Sequence, residues 1–464
     1  MAPTKHLNDS QDPWRYAIVL SKFLVLFVDG GMAKSFGVLI PDMVDRYDSD
    51  YKTIAFICSL HSLMFMTAPI ANVLLKVMTS RTLGMLGGLL AAISIMCAPL
   101  ANSVFELGIL ISLTGFGIVM AVFSTLVTLA RFFPKSFIFS NSLTQFGIIC
   151  GVFTVPIIVE RSLEAYGYDG ACLILGGISL HAVVSAMILR PPKDLPSSTE
   201  ENTQLMDTHS SGDSHSIIEN EKHQGGANWG TESDNDGFSR SNTEYMQVVV
   251  DFFHSLPSVG ELFKSFILVE EPLCTLVMPA VFLANYVFYA WLLFLVPHAE
   301  GLGIDPSRAV LLSSIAGIAG TVGSMVFLVL LHFNYDATII IIFCCLVSAI
   351  SFFLDTLSST FIFLAVMAGV QGVALFVLRT ITSVMAKLAV RDAQNIPSAL
   401  SLFFFLEAVG VGAGDTISGH IYDVTSSMHT VFISFGIALA VAMVNLIIFA
   451  ILVCYKASVN QIPR

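Results

Sequence analysis

A small set of ionisable side chains lies inside long apolar stretches of this 464-residue chain. A charged group in mid-helix costs ~2.5–3.5 kcal/mol on insertion scales, so it faces a cavity or a partner. One apolar run carries Lys22, Asp29 and Lys34 together. Lys22 and Asp29 fall within ~20° of the same helix face but ~10 Å apart along it, so they need a third group to pair. Gly30 and Gly31 beside Asp29 permit a bend or a close helix contact. Lys34 lies ~140° round from Asp29. An ammonium in a poorly screened cavity attracts a carboxylate strongly; the plainer alternative is a lysine that snorkels to the membrane surface. Arg379 offers paired donors for a carboxylate, or anchors a membrane boundary if its helix ends early. Glu407 and Asp415 either pair with these cations, the commoner use, or carry a proton. His61 is either a titrating imidazole or hydrogen-bonded packing. The chemistry that suits this set is the holding of a small organic anion, with Lys34 and Arg379 as substrate-binding cations. Asp29, Glu407, Asp415 and His61 are then the candidates for charge balance or proton uptake.

The composition says what kind of element must position these groups. The chain is 55% apolar and 12% charged, against ~25% charged for a soluble domain. That argues against a soluble enzyme, a nucleic-acid binder and a disordered scaffold. The net charge of −12 says little about a ligand, because eleven acids and two bases fall between Asp194 and Glu244. The eight cysteines lie in apolar stretches without zinc-site spacing and read as packing residues. No phosphate-cradling loop, metal site or cofactor motif is present, so neither cofactor nor enzymatic activity is expected.

Apolar segments recur near 16–40, 54–78, 82–102, 104–132, 137–160 and 170–190, then near 272–297, 309–332, 337–354, 360–388, 396–418 and 428–455. Each is long enough to cross a bilayer, and each must be helical because hydrocarbon offers no partner to a free peptide group. The expected fold is therefore all-α: a polytopic membrane protein of twelve transmembrane helices in two six-helix bundles. The bundles span 16–190 and 272–455, with tails at 1–15 and 456–464. The segment 191–271 reads as a polar, largely disordered linker, with a short interfacial helix an option at 245–270. Lys76, Arg81, Arg131, Lys135, Arg190, Lys193, Lys387 and Arg391 gather at one set of helix ends, and Arg46, Lys52, Arg161 and Arg308 at the other. This bias places the linker and both termini in the cytoplasm.

Several stretches, in order along nearly the whole membrane portion, resemble the monocarboxylate transporter family. They are Asp12-Pro13-Trp14-Arg15-Tyr16, Lys34-Ser35-Phe36-Gly37-Val38, Arg131-Phe132-Phe133-Pro134-Lys135, Tyr168-Asp169-Gly170 through Leu189-Arg190-Pro191, Leu295-Val296-Pro297-His298-Ala299 through Gly317, and Gly419-His420-Ile421-Tyr422-Asp423. The resemblance implies a major facilitator architecture, whose halves rock about a midplane site. It also implies a monocarboxylate or related small organic anion or zwitterion as substrate, with Lys34 binding it and taking part in proton coupling. A plasma-membrane location and a single-span glycoprotein chaperone follow from the same likeness. One departure stands out. Where the lactate-type members present an Asp and, four residues on, an Arg in helix eight, this chain has Gly320 and Ser324. Coupling through that pair is not expected. Gly317, Gly320 and Gly323 form a small-residue stripe that lets helices approach, or else widens the cavity for a bulkier substrate. A non-transporting membrane sensor and a facilitator for an uncharged solute remain the alternatives.

Overall fold

The computed structural model describes residues 9–193 and 271–460. The expected linker and its interfacial helix (194–270) lie outside the described residues. Helices one to four occupy Arg15–Tyr47, Thr53–Val77, Ser80–Leu100 and Val104–Phe132. After the linker, helices seven to twelve occupy Pro272–Gly301, Leu311–His332, Ala337–Leu357, Phe361–Ala389, Ala393–Thr425 and Met428–Cys454. Helix one runs seven residues past the expected boundary because its outer turns bury Leu39, Ile40 and Met43.

Between the two sets lies one continuous helical stretch, Phe137–Met187. It holds two spans, not one. At Gly167 the backbone leaves the helical region (φ 68°, ψ −172°), a conformation that glycine adopts without a Cβ penalty. Before that point, Gly147 and Gly151 lie against Phe23 and Phe27, and Val155 against Gly31, so this arm runs parallel to helix one. After it the sense reverses. Ser21 donates to the Ser185 carbonyl at 2.7 Å, and the Ser179 hydroxyl meets Met32 Sδ at 3.1 Å. The stretch is a hairpin of helix five (137–166) and helix six (168–187), and the count among the described residues reaches twelve.

Glycines set the closest packing. A Cβ on Gly30 would meet the Ile148 carbonyl at 2.7 Å, which is why helices one and five approach so closely beside Asp29. In helix eight, Gly320 lies under the Phe376 ring, and a Cβ on Gly323 would sit 2.6 Å from the Val373 carbonyl. Helix ten thus fills the stripe at Gly320 and Gly323, while Gly317 meets open space. This corrects the idea of a widened cavity at the first two positions, where Phe376 and Val373 take the space.

Several of the stretches that carry the family resemblance are staples of the first bundle. Arg190 pairs with Asp12 at 2.8 Å and lies over the Trp14 ring at 4.4 Å, while Trp14 Nε1 donates to the Ile188 carbonyl at 2.9 Å. Asp9 accepts from the Lys135 and Ser136 backbone N–H groups at 2.8 and 3.1 Å, closing the start of helix five. At the far end Arg46 pairs with Asp169 at 2.7 Å. In the second bundle, buried His298 and Asp355 meet at 2.7 Å and tie helix seven to helix nine.

The bundles touch each other from mid-membrane to the end that bears the N-terminal tail. Phe65 of helix two tilts on Phe404 of helix eleven, with centroids 5.8 Å apart. Nearer the tail, Asn72 Nδ2 donates to Ser398 Oγ at 3.2 Å. Phe139 of helix five meets His332 of helix eight at 6.2 Å, and Asp9 lies within electrostatic reach of Lys387.

Candidate functional site

Helix ten is broken where the site needs it. It consists of Phe361–Leu378 and Ile381–Ala389, with Arg379 and Thr380 at the joint. The Thr380 hydroxyl donates back to the Val377 carbonyl at 2.8 Å, a contact that bends helices. The helix resumes for nine residues after the joint, so Arg379 sits within the span. The alternative of a boundary anchor is overturned.

The Arg379 guanidinium donates through Nη1 to the Tyr289 hydroxyl of helix seven at 3.0 Å. It also lies over the faces of Phe288 and Tyr289, at 5.6 and 5.8 Å from the ring centroids. Tyr289 in turn donates to Glu407 Oε1 of helix eleven at 3.4 Å. Glu407 also meets the Thr382 hydroxyl, which accepts from Asn285 Nδ2 at 3.2 Å. A phenol thus stands between the cation and the carboxylate, and among the described residues Arg379 has no ion pair within 4 Å. Guanidinium has five N–H donors, and a single one is engaged here. Arg379, Tyr289 and Glu407 are all half-buried.

Across from this group, on the first bundle, His61 Nε2 lies 3.3 Å from Asp29 Oδ1. Both residues are buried, at 1% and 8% exposure. The His61 ring meets Phe36 edge-on at 5.5 Å, and its Nδ1 has no hydrogen-bond partner. Asp29 is close enough to feel the charge of Arg379 and Glu407. The fold therefore gathers four of the six expected site residues: Asp29, His61, Arg379 and Glu407.

Lys34 stands apart. It is exposed, as are Ala33 and Gly37 on the same helix, away from the tail end. It makes no hydrogen bond or ion pair among the described residues. The side chain of Asp415 lies outside the described set. Lys22 is buried and donates to Asn141 Oδ1 of helix five, so its partner is an amide and not Asp29.

Sequence reasoning missed Thr382 and Asn285 as parts of the site and did not single out Tyr289 among the aromatic side chains of helix seven, of which one or two could line the cavity. Asn285 and Tyr289 are one helical turn apart in an otherwise apolar helix, and that spacing was the available signal. The aromatic side chains of helix seven divide between core and site. Trp291 is core, with its Nε1 held by Gln371 at 2.8 Å, whereas Phe288 and Tyr289 cradle the arginine.

Residues 23–354 match the family described as Major Facilitator Superfamily. Monocarboxylate transporter 7 of Homo sapiens is 25% identical over 93% of this chain and 85% of that protein. Monocarboxylate transporter 2 of Mesocricetus auratus is 25% identical over 44% of this chain, and the match spans 42% of that relative's length. The mouse protein of the same name gives 25% identity, with 41% of its length matched. Among solved structures, the E. coli fucose:proton symporter FucP superposes with a TM-score of 0.62 at 14% identity, covering 92% of this chain and 97% of that one. A FucP structure in the outward conformation gives 0.63 at 15% identity, over 94% and 99%. Twelve helices, two bundles meeting around a mid-membrane charge cluster, and a profile match over most of the chain give one assignment: this chain belongs to the Major Facilitator Superfamily and, within it, is similar to the monocarboxylate transporters.

Proposed function

We propose that this chain is a carrier that moves a small organic monoanion, of the carboxylate class, across the plasma membrane by exposing a midplane site to each side in turn. The observation that carries this reading is Arg379, a fixed cation inside the membrane span with one donor engaged by Tyr289 and no carboxylate in ion-pair range among the described residues. A carboxylate matches the remaining fork in charge and geometry. Glu407 and Asp29 supply the counter-charges that make a lone guanidinium tolerable when the site is empty. Lys34, exposed and further from the tail end, attracts the anion towards the mouth of the site. Asp415 is a reserve charge on helix eleven.

The bias of Lys and Arg towards the tail end supports cytoplasmic termini. The named relatives support a monocarboxylate as the substrate class. Help from a single-span glycoprotein in reaching the surface belongs to the same reading and rests on the family resemblance.

Uptake of ¹⁴C-labelled lactate, pyruvate and larger 2-oxo acids into cells expressing the chain tests the proposal, with the corresponding amides as controls. Saturable uptake of an acid and exclusion of its amide is the expected result. Equal uptake of the amide would favour a facilitator for uncharged solutes. No uptake of any acid, at verified surface expression, would refute transport and favour a sensor.

A further inference from the structure

We propose that the buried Asp29–His61 pair is the proton site of this carrier and that it takes one proton for each anion held by Arg379. The inference rests on the reading that an anion travels through Arg379, and it adds where the compensating charge resides.

Three observations lead to it. First, the pair is built and enclosed. The carboxylate and the imidazole are 3.3 Å apart, and helix four closes on the backbone of His61, where a Cβ on Gly115 would meet the His61 carbonyl at 2.5 Å. With Nε2–H donated to Asp29, the bare Nδ1 of His61 is a proton acceptor that no other group uses. Second, the pair looks at the anion site. The charged or titratable groups facing it are Arg379 from helix ten, Glu407 from helix eleven and Tyr289 from helix seven. Helix four offers Thr114 and Gly115, which carry no charge, and Lys22 on helix one is held by Asn141.

Third, the charges need it. One guanidinium faces two carboxyl groups in a poorly screened region, so an arriving monoanion is a third negative group competing for the same cation. Ionised Asp29 is also drawn to Arg379 across the two bundles. A proton on the pair, shared between imidazole and carboxylate, cancels one negative charge and releases Arg379 to the anion. Glu407 is less free for this task, because Tyr289 and Thr382 already occupy its oxygens. The only bond made or broken is the N–H or O–H bond of the pair. The proton comes from water on one side and leaves to water on the other with the anion, so the loaded carrier gains no net charge.

The test uses the full chain in proteoliposomes with ¹⁴C-lactate and ¹⁴C-pyruvate as probes. At one proton per anion, an inward gradient of one pH unit drives at most ~10-fold accumulation, and an imposed potassium-diffusion potential has no effect. Asp29→Asn and His61→Gln are expected to lose this accumulation yet retain exchange of labelled for unlabelled acid at equal pH. Wild-type accumulation in either variant would overturn the proposal. So would loss of exchange together with accumulation in a monodisperse variant.

A wild-type chain that moves neither acid would sink the anion reading instead. The proton pair then has its own measurement, nuclear magnetic resonance of ¹⁵N-histidine-labelled protein. A signal that moves with pH, absent in His61→Gln and displaced in Asp29→Asn, upholds the pair. Absence of such a signal overturns it.

Discussion

Replacing Arg379 by lysine is the sharpest probe of the anion site, because it keeps the charge and removes the fork. Alanine is a poor choice: it would leave Tyr289 without its donor and the Glu407 charge without the nearby cation that balances it. In the native site one guanidinium donor is spent on Tyr289 at 3.0 Å, leaving a pair of donors for a carboxylate. Lysine is a point charge on a flexible stem and cannot hold both oxygens while also meeting Tyr289. The variant therefore forfeits at least one hydrogen bond to a charged partner, worth ~1.5–3 kcal/mol. That converts to a rise of ~10- to 150-fold in the half-saturation concentration. The assay is initial-rate tracer uptake over a range of acid concentrations, normalised to protein at the surface. The maximal rate should fall less than the affinity, since the charge that balances Asp29 and Glu407 is still there. A variant that saturates at the wild-type concentration would show that the carboxylate is bound elsewhere, and the assignment of Arg379 would fall.

Other expectations follow from the same geometry. Lys34→Ala should slow uptake at low ionic strength and lose most of its effect at ~1 M salt, where the screening length shrinks to ~3 Å; an equal defect at both salts would make Lys34 part of the binding site proper. Paired substitutions Asn72→Cys and Ser398→Cys, at side chains that now meet at 3.2 Å, should cross-link on oxidation, halt uptake and recover with reductant. Full uptake by the cross-linked protein would rule out separation of helices two and eleven at this end. Gly151→Ala presses a methyl group on the Phe27 carbonyl and should lower the melting midpoint of the purified protein, overpacking of this kind costing ~1–3 kcal/mol. Gly177→Ala, which meets open space, should change stability by no more than ~0.5 kcal/mol.

Much of the architecture was legible in the residues because a bilayer imposes two local rules, apolarity over a span and internal satisfaction of the backbone. Those rules locate the twelve segments from 464 letters, including the two that the helical hairpin at Gly167 joins without a loop. They also single out Asp29, His61, Arg379 and Glu407, since an ionisable group in hydrocarbon is conspicuous wherever it occurs. The same rules say nothing about partners. His61 looked like an isolated histidine, and its hydrogen bond to Asp29 spans 32 positions of sequence. Tyr289 looked like one aromatic among several, and its place between Arg379 and Glu407 depends on three helices meeting. The glycine stripe of helix eight read more plainly as a helix contact than as a cavity, and Phe376 and Val373 make that contact at Gly320 and Gly323.

What the amino-acid order determined, then, is which groups must hide from lipid and how many times the chain crosses it. Which of those groups meet was decided only by tertiary packing. The phase of each helix about its own axis is fixed by the neighbours it touches and by breaks such as the one at Arg379, and hydrophobicity along a fully apolar helix carries almost no record of that phase. Lys34 and Asp29, five residues apart on one helix, show the consequence: one is exposed without a partner among the described residues, and the other is buried against His61 and faces the arginine.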